Sequence, residues 1–257
     1  MGDDERTSEQ PMTKLLVTSD WHGDSTTCGI NRYDDIEAGA YETVEFMQKN
    51  ACDGYIFLGD LSDPDNVRSH RAVALAVNIA RRVSALRKPN VWVAGNHDVI
   101  EDGYGTTTLS ALRHSDPMTN LIEEPCFGCI GVLDTYFVCY PFTARHQAYD
   151  AVAFTEEALA DYKQHGKGRP VVILSHLNVE GAKTGSEGTT LARGRDHHLP
   201  LEQISKAFPD CIVLQGHYHK PQVIEAHGLK VHVPGSLERL RFDEEDDECG
   251  FLVVEYG

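Results

Sequence analysis

The chain has 257 residues, a formal net charge of −17 and 41% hydrophobic residues, enough apolar side chains for one large α/β domain or two small ones. That acidity argues against a protein that binds nucleic acid over its whole surface, because neutralisation of phosphates by basic side chains supplies most of such affinity. No apolar run has the length of a membrane helix, and seven scattered cysteines, an odd number, read as the reduced thiols of a cytoplasmic protein.

The opening MGDDERTSEQPMTK is acidic and polar and reads as a disordered leader over residues 1–13, with a single domain expected over 14–257. Short β-branched runs then recur: KLLVT (14–18), YIFL (55–58), VWVA (91–94), VVIL (171–174) and CIVL (211–214). Their continuous apolarity predicts sheet strands buried on both faces. Segments 36–50 and 67–86 carry apolar residues at helical spacing, and 154–165 and 201–208 are shorter helical candidates. A second group, GCIGVLD, TYFVCY, QVIEAH, LKVHVP and GFLVVEY, reads as antiparallel strands with hairpin-like connections such as AHGLK. The expected fold class is α/β, two mixed β-sheets packed face to face with helices outside. Cys126 and Cys129 form the one CxxC and lack a second pair at zinc-finger spacing, so they read as two cysteines in or beside a strand. The Gly-rich stretch 180–196 is the longest candidate loop and a candidate lid or substrate loop.

The residues that follow the buried runs carry the chemistry. KLLVTS leads into Asp20-Trp21-His22, YIFLG into Asp60, VWVAG into Asn96-His97-Asp98, VVILS into His176, and CIVLQG into His217-Tyr218-His219. Open α/β sheets place ligand sites at the carboxyl ends of their strands, and here five strands each deliver a carboxylate, amide or imidazole to that end. For any one of these motifs a helix cap or a wet turn would serve as an explanation; for all five together a metal site explains more. The donors are oxygen and nitrogen without thiolate, which suits first-row divalent ions and disfavours a structural zinc cage. Seven candidate ligands exceed what one ion with an open position needs, and they fit two ions about 3.5–4 Å apart that share a bridging carboxylate. Tyr218, between two donors, is expected to point away.

In that order DWH, GD, GNHD, a lone SH and GHYH resemble the signature of the calcineurin-like metallophosphoesterases. The resemblance implies a four-layer αββα sandwich. It also implies one metal held by Asp20, His22, Asp60 and His219, and a second by Asp60, Asn96, His176 and His217, with Asp60 bridging. His97 would protonate the leaving oxygen and Asp98 would orient His97, although a plain turn or cap residue is the alternative for Asp98. Family precedent points to Mn2+, while the same ligands would accept Fe2+, Ni2+ or Zn2+.

Between the motifs, NRYDD, SHLNVEGAKTGSE and above all PGSLERLRFDEE are similar to the nuclease subunit of the bacterial SbcCD and archaeal–eukaryotic Mre11–Rad50 DNA-repair complexes. This resemblance implies a two-metal exonuclease or endonuclease of bacterial or phage type, with DNA as substrate and an SbcC/Rad50-like ATPase as partner. There are departures. The family's longer members continue into a DNA-capping domain and an ATPase-gripping segment, for which the chain after the last expected strand leaves no room. Asp63 stands where archaeal and eukaryotic members often carry a histidine, and Cys249 where a lysine often precedes the final Gly-Phe. These departures and the charge keep open a cyclic-nucleotide phosphodiesterase or small-substrate phosphatase. A non-catalytic interaction module would instead show eroded ligands, and none is eroded. Arg193 and Arg195, with His197 and His198, are candidate contacts to substrate phosphates, with a solvated loop as the alternative.

Overall fold

A computed structural model describes residues 12–63, 69–101, 103–130, 132–183 and 198–257. Two sheets form the centre. The first has the order β13-β1-β4-β5-β6, from Leu252–Tyr256, Thr13–Thr18, Gly54–Phe57, Asn90–Val93 and Thr119–Ile122. The second has the order β11-β12-β10-β9-β8-β7, from Gln222–Ala226, Leu229–Val233, Ile212–Gln215, Val171–Ser175, Tyr136–Tyr140 and Cys126–Cys129. A small hairpin, β2 (Thr26–Thr27) and β3 (Ile30–Asn31), precedes helix α1 (Tyr33–Lys49).

The continuous apolar runs are explained by which layer each face meets. Because side chains alternate along a strand, Leu15, Val17, Ile56, Leu58, Val91 and Val93 point between the sheets. There they meet Phe137, Cys139, Val172, Leu174 and Leu214 from the second sheet. The intervening Leu16, Tyr55, Phe57 and Trp92 face outward and are covered by α1 and α2 (His70–Ala85). On the far side Tyr136, Val138, Tyr140, Ile173 and Val213 are covered by α3 (Ala151–Asp161) and α4 (Leu201–Ala207). Both faces of the central strands of both sheets are therefore buried, in four layers.

The helices carry their predicted stripes. In α1 the buried positions are Tyr33, Ile36, Ala40, Thr43, Val44 and Met47, and in α2 Ala72, Leu75, Ala76, Ile79, Ala80 and Val83. Helix α3 begins three residues before its expected start, because the Asp150 carboxylate accepts the backbone N–H groups of Val152 and Ala153.

The late strands differ from expectation. Strand β8 runs parallel to β9, and β12 parallel to β10, so among the described pairs of the two large sheets only β7–β8, β11–β12 and β1–β13 are antiparallel. The hairpin β11–β12 turns through His227 and Gly228, both at positive φ as a two-residue hairpin loop requires. The expected strand over GCIGVLD lies earlier, at Cys126–Cys129, where both CxxC cysteines sit. Its second half turns instead, and Leu133 is inserted into the inter-sheet core. Strand β6 was not anticipated, being short, polar and paired on one side only. Among the described residues no helix is long and apolar enough to cross a membrane.

Candidate metal centre

The first three strands of one sheet that lie side by side, β1, β4 and β5, run parallel, as do β8, β9 and β10 in the other. The carboxyl ends of both sets open on the same rim. The chain turns sharply there: Asp20, His22, Asp60 and His217 all adopt positive φ, which non-glycine residues rarely do. That left-handed kink lets strand ends that leave the sheets in parallel bend their donors toward one point. Residues between the donors point the other way. Trp21 packs edge-on against Phe57 and Trp92 with its indole N–H on Thr18 Oγ1 at 3.0 Å. Tyr218 is buried and its hydroxyl accepts the Val179 backbone N–H at 2.8 Å.

All seven candidate ligands converge in two adjoining clusters. Asp20, His22 and His219 form one and Asp60, His176 and His217 the other, each with its ligand atoms within 4.8 Å of one another and every residue buried. Asn96 completes the second, its Oδ1 lying 3.1 Å from His176 Nε2 and 2.9 Å from His217 Nδ1. Asp60 faces both: its Oδ2 is 3.3 Å from His176 Nε2 and 3.9 Å from His22 Nε2. His97 stands beside them, its Nε2 3.9 Å from the same oxygen, and its side chain keeps 19% exposure.

Other groups fix the donors in place. One Asp20 oxygen, Oδ2, is held by the Ser19 hydroxyl and by the His217 backbone N–H, while Oδ1 is buried without a hydrogen-bond partner among the described residues. His176 gives its Nδ1–H to the Leu58 carbonyl, so Nε2 is the ring nitrogen that faces Asp60 and Asn96. Asp98 corrects the expectation that it orients the His97 ring. Its two oxygens instead accept the backbone N–H groups of Asp60, Leu61 and Gly95 and the Thr108 hydroxyl, at 2.7–2.9 Å. The carboxylate therefore staples the GD and GNHD loops together, and His97 is positioned through its backbone N–H on Asp60 Oδ1 at 2.9 Å. Ser19 and Thr108 carried no motif signal; their roles appear only once the loops are folded. Arg193, Arg195 and His197 lie outside the described residues, and His198 is exposed, its backbone bridged to Asn178.

Glycines make this crowding possible. A Cβ on Gly216 would collide with the Leu58 carbonyl oxygen and the Ser19 hydroxyl, and one on Gly95 with Asp60. Gly216→Ala is expected to lower stability by about 1–3 kcal/mol through overpacking, read from the urea midpoint; a midpoint within error of the parent would show the loop can yield.

Electrostatics favour cations over protons here only as pH rises. Burial pushes the Asp20 carboxyl up to about 7, opposed by His176 and reinforced by Asp60. Burial and the adjacent His176 push His217 down to about 3. Burial, then His219, holds His22 well below the usual imidazole range. Burial also opposes charge on His176, but Asp60 and Asp20 outweigh it and raise that imidazole to about 9. Asp60, against its own burial, is held well below the carboxylate range by His176 and His97. His176 thus keeps a proton at neutral pH that a metal must displace, and Asp20 holds part of one. Metal affinity is therefore expected to climb between pH 6 and 8, by roughly tenfold per unit for each proton displaced. Calorimetric titration at pH 7 in two buffers of different ionisation enthalpy would count the released protons, and a count of zero would contradict this.

The donor set fits two divalent first-row cations: oxygen and imidazole ligands, a shared carboxylate, and an orphaned buried oxygen on Asp20. No lysine or arginine pairs with Asp20 or Asp60 among the described residues, so their charge is otherwise balanced only by histidine.

The fold matches solved structures at low sequence identity. A dimetal phosphatase of Danio rerio superposes with a TM-score of 0.57 at 12% identity, covering 88% of each chain. The protein TT1561 of Thermus thermophilus gives 0.53 at 15% identity, covering 88% of this chain and 90% of that one. Purple acid phosphatase from yellow lupin gives 0.52 at 14% identity, covering 96% of this chain and half of that one. The model of the calcineurin-like phosphoesterase family matches residues 13–221, a span holding every strand-end donor described above, and the chain belongs to that family of metal-dependent phosphoester hydrolases.

Proposed function

We propose that this chain is a two-metal phosphodiesterase whose substrate is a DNA strand. The observation that carries the metal chemistry is the position of Asp60 Oδ2, which faces His176 in one cluster and His22 in the other. The ions held there would neutralise phosphoryl oxygens and supply a nucleophile at neutral pH. Asp20, His22, Asp60 and His219 would hold one, and Asp60, Asn96, His176 and His217 the other. The protein's own part is to fix those donors and to exclude competing geometries. His97, beside the clusters and still open to solvent, would hand its proton to the departing oxygen.

DNA is supported by the segment PGSLERLRFDEE, which carries the likeness to repair nucleases and which folds back onto the metal centre: the Ser236 backbone N–H bonds the His219 carbonyl at 2.9 Å. An SbcC/Rad50-like ATPase as partner belongs to the same proposal. A second reading, hydrolysis of cyclic nucleotides or small phosphate esters, is favoured by the net charge of −17, which disfavours long DNA contacts.

The test is to load the metal-free protein with Mn2+ and offer linear single- and double-stranded DNA, a cyclic nucleotide, and aryl phosphate mono- and diesters. Cleavage of DNA supports the first reading. Turnover of the cyclic nucleotide or monoester with DNA left intact would transfer the assignment to the second.

A further inference from the structure

The run DEEDDE at 243–248 looks like a solvated acidic face, yet two of its members are buried. Glu244 is 1% exposed and its Oε1 accepts the Nδ1–H of His219 at 2.8 Å. Its other oxygen, Oε2, accepts the backbone N–H groups of Leu240 at 2.7 Å and Arg241 at 3.3 Å. Asp247 pairs with Lys220, the residue after His219, at 2.8 Å. The segment 236–247 is thus fastened to the GHYHK turn at three successive points: Ser236 on the His219 carbonyl, Glu244 on its ring, and Asp247 on Lys220.

From this geometry we infer that Glu244 is the positioning residue that sets the tautomer and ring orientation of His219, and so the affinity of the cluster formed with Asp20 and His22. A histidine that donates Nδ1–H to a carboxylate leaves Nε2 unprotonated. His219 Nε2 is the atom that faces the cluster, 3.0 Å from His22 Nε2. His176 has its Nδ1–H held by a backbone carbonyl instead, so the two clusters are supported differently, one by the strand framework and one by a side chain of the 236–247 segment. The inference rests on the two-metal reading and is independent of whether the substrate is DNA.

The substitution Glu244→Gln discriminates sharply. The amide has one oxygen, and the two backbone N–H groups of Leu240 and Arg241 claim it. Its NH2 then faces His219 Nδ1, which must accept, and the ring proton moves to Nε2. The variant is nearly isosteric, so the turn keeps its cap while the ligand atom is blocked. Mn2+ titration of the full chain, followed by calorimetry or electron paramagnetic resonance, is expected to show two sites in the parent. In the variant one site is expected to weaken by about 10–100-fold while the other is unchanged. Nitrogen-15 spectra of the metal-free chain should move the His219 ring from the Nδ1–H to the Nε2–H tautomer. In a His219→Ala background the same substitution should leave metal affinity unaltered, as a double-mutant cycle requires. Equal weakening of both sites together with a lower melting temperature would make Glu244 a structural residue only and overturn the inference. So would unchanged affinities and an unchanged tautomer. A parent chain that binds no Mn2+ would remove the two-metal reading itself, which separates that failure from failure of the role given to Glu244.

Discussion

Replacing Asp60 with asparagine is expected to eliminate binding of both metal ions and to lower kcat/KM for any phosphoester by at least about 1,000-fold. The estimate takes about 4 kcal/mol for the charge stabilisation that the ions provide in the transition state, at 1.36 kcal/mol per tenfold. The geometry explains why a single neutral isostere acts on two ions. Asp60 Oδ1 accepts the His97 backbone N–H at 2.9 Å, and Oδ2 faces His176, His22 and His97. In the variant the His97 N–H holds the amide oxygen, so the NH2 points at the three imidazole nitrogens, presenting hydrogens where a shared anion is needed. Asp60 is also a main cause of the elevated pKa of His176, so loss of its charge should bring that imidazole down from about 9. The checks are metal content after gel filtration and a pH titration of the His176 ring signals. By contrast Asp20→Asn touches one cluster and should leave the other ion in place. Retention of two ions at parental affinity in Asp60→Asn would show that the carboxylate is not shared.

Why the metal centre could be read from sequence while much of its support could not is a question of range. The donors are coded locally: each follows a buried strand directly, and the strands are parallel, so their ends coincide whatever the details of packing. The turns that bend Asp20 with His22 and His217 with His219 toward the site send the residues between them, Trp21 and Tyr218, away from it. Glu244 has no such local code. It lies 25 residues beyond the histidine it holds and is surrounded in sequence by acids of which Glu245, Asp246 and Glu248 do face solvent. Only the docking of the 236–247 segment picks out one carboxylate of the run. The same reasoning applies to Asp98, where the motif suggested proximity to His97 but the bonds go to three backbone amides and Thr108. The parallel pairing of β8 with β9 was also hidden, since the helix α3 that makes the crossover is short and an apolar run carries no direction. Strand β6 escaped because TNLI is a polar edge strand with a single partner.

The second large effect concerns His97, and leaving-group chemistry isolates it. His97→Ala is expected to reduce kcat on DNA or an alkyl phosphodiester by about 100- to 10,000-fold, the range for loss of a general acid. On an aryl diester with an acidic phenol the loss should shrink to tenfold or less, because that oxygen departs without a proton. Metal content should be unchanged: the His97 ring lies outside both clusters, and the backbone N–H that supports Asp60 survives the substitution. The side chain is partly exposed, so the melting temperature should move little, which removes misfolding as an explanation of lost activity. The dependence on leaving group is the decisive readout. A positioning residue that merely helped to hold Asp60 would depress both substrates alike and would lower metal affinity with them. A proton donor depresses only the substrate whose leaving oxygen needs the proton, and the parent chain should show the shallower dependence of rate on leaving-group pKa, the variant the steeper one. Equal losses on the two substrates would transfer His97 from proton donor to support, and the donor would then have to come from solvent.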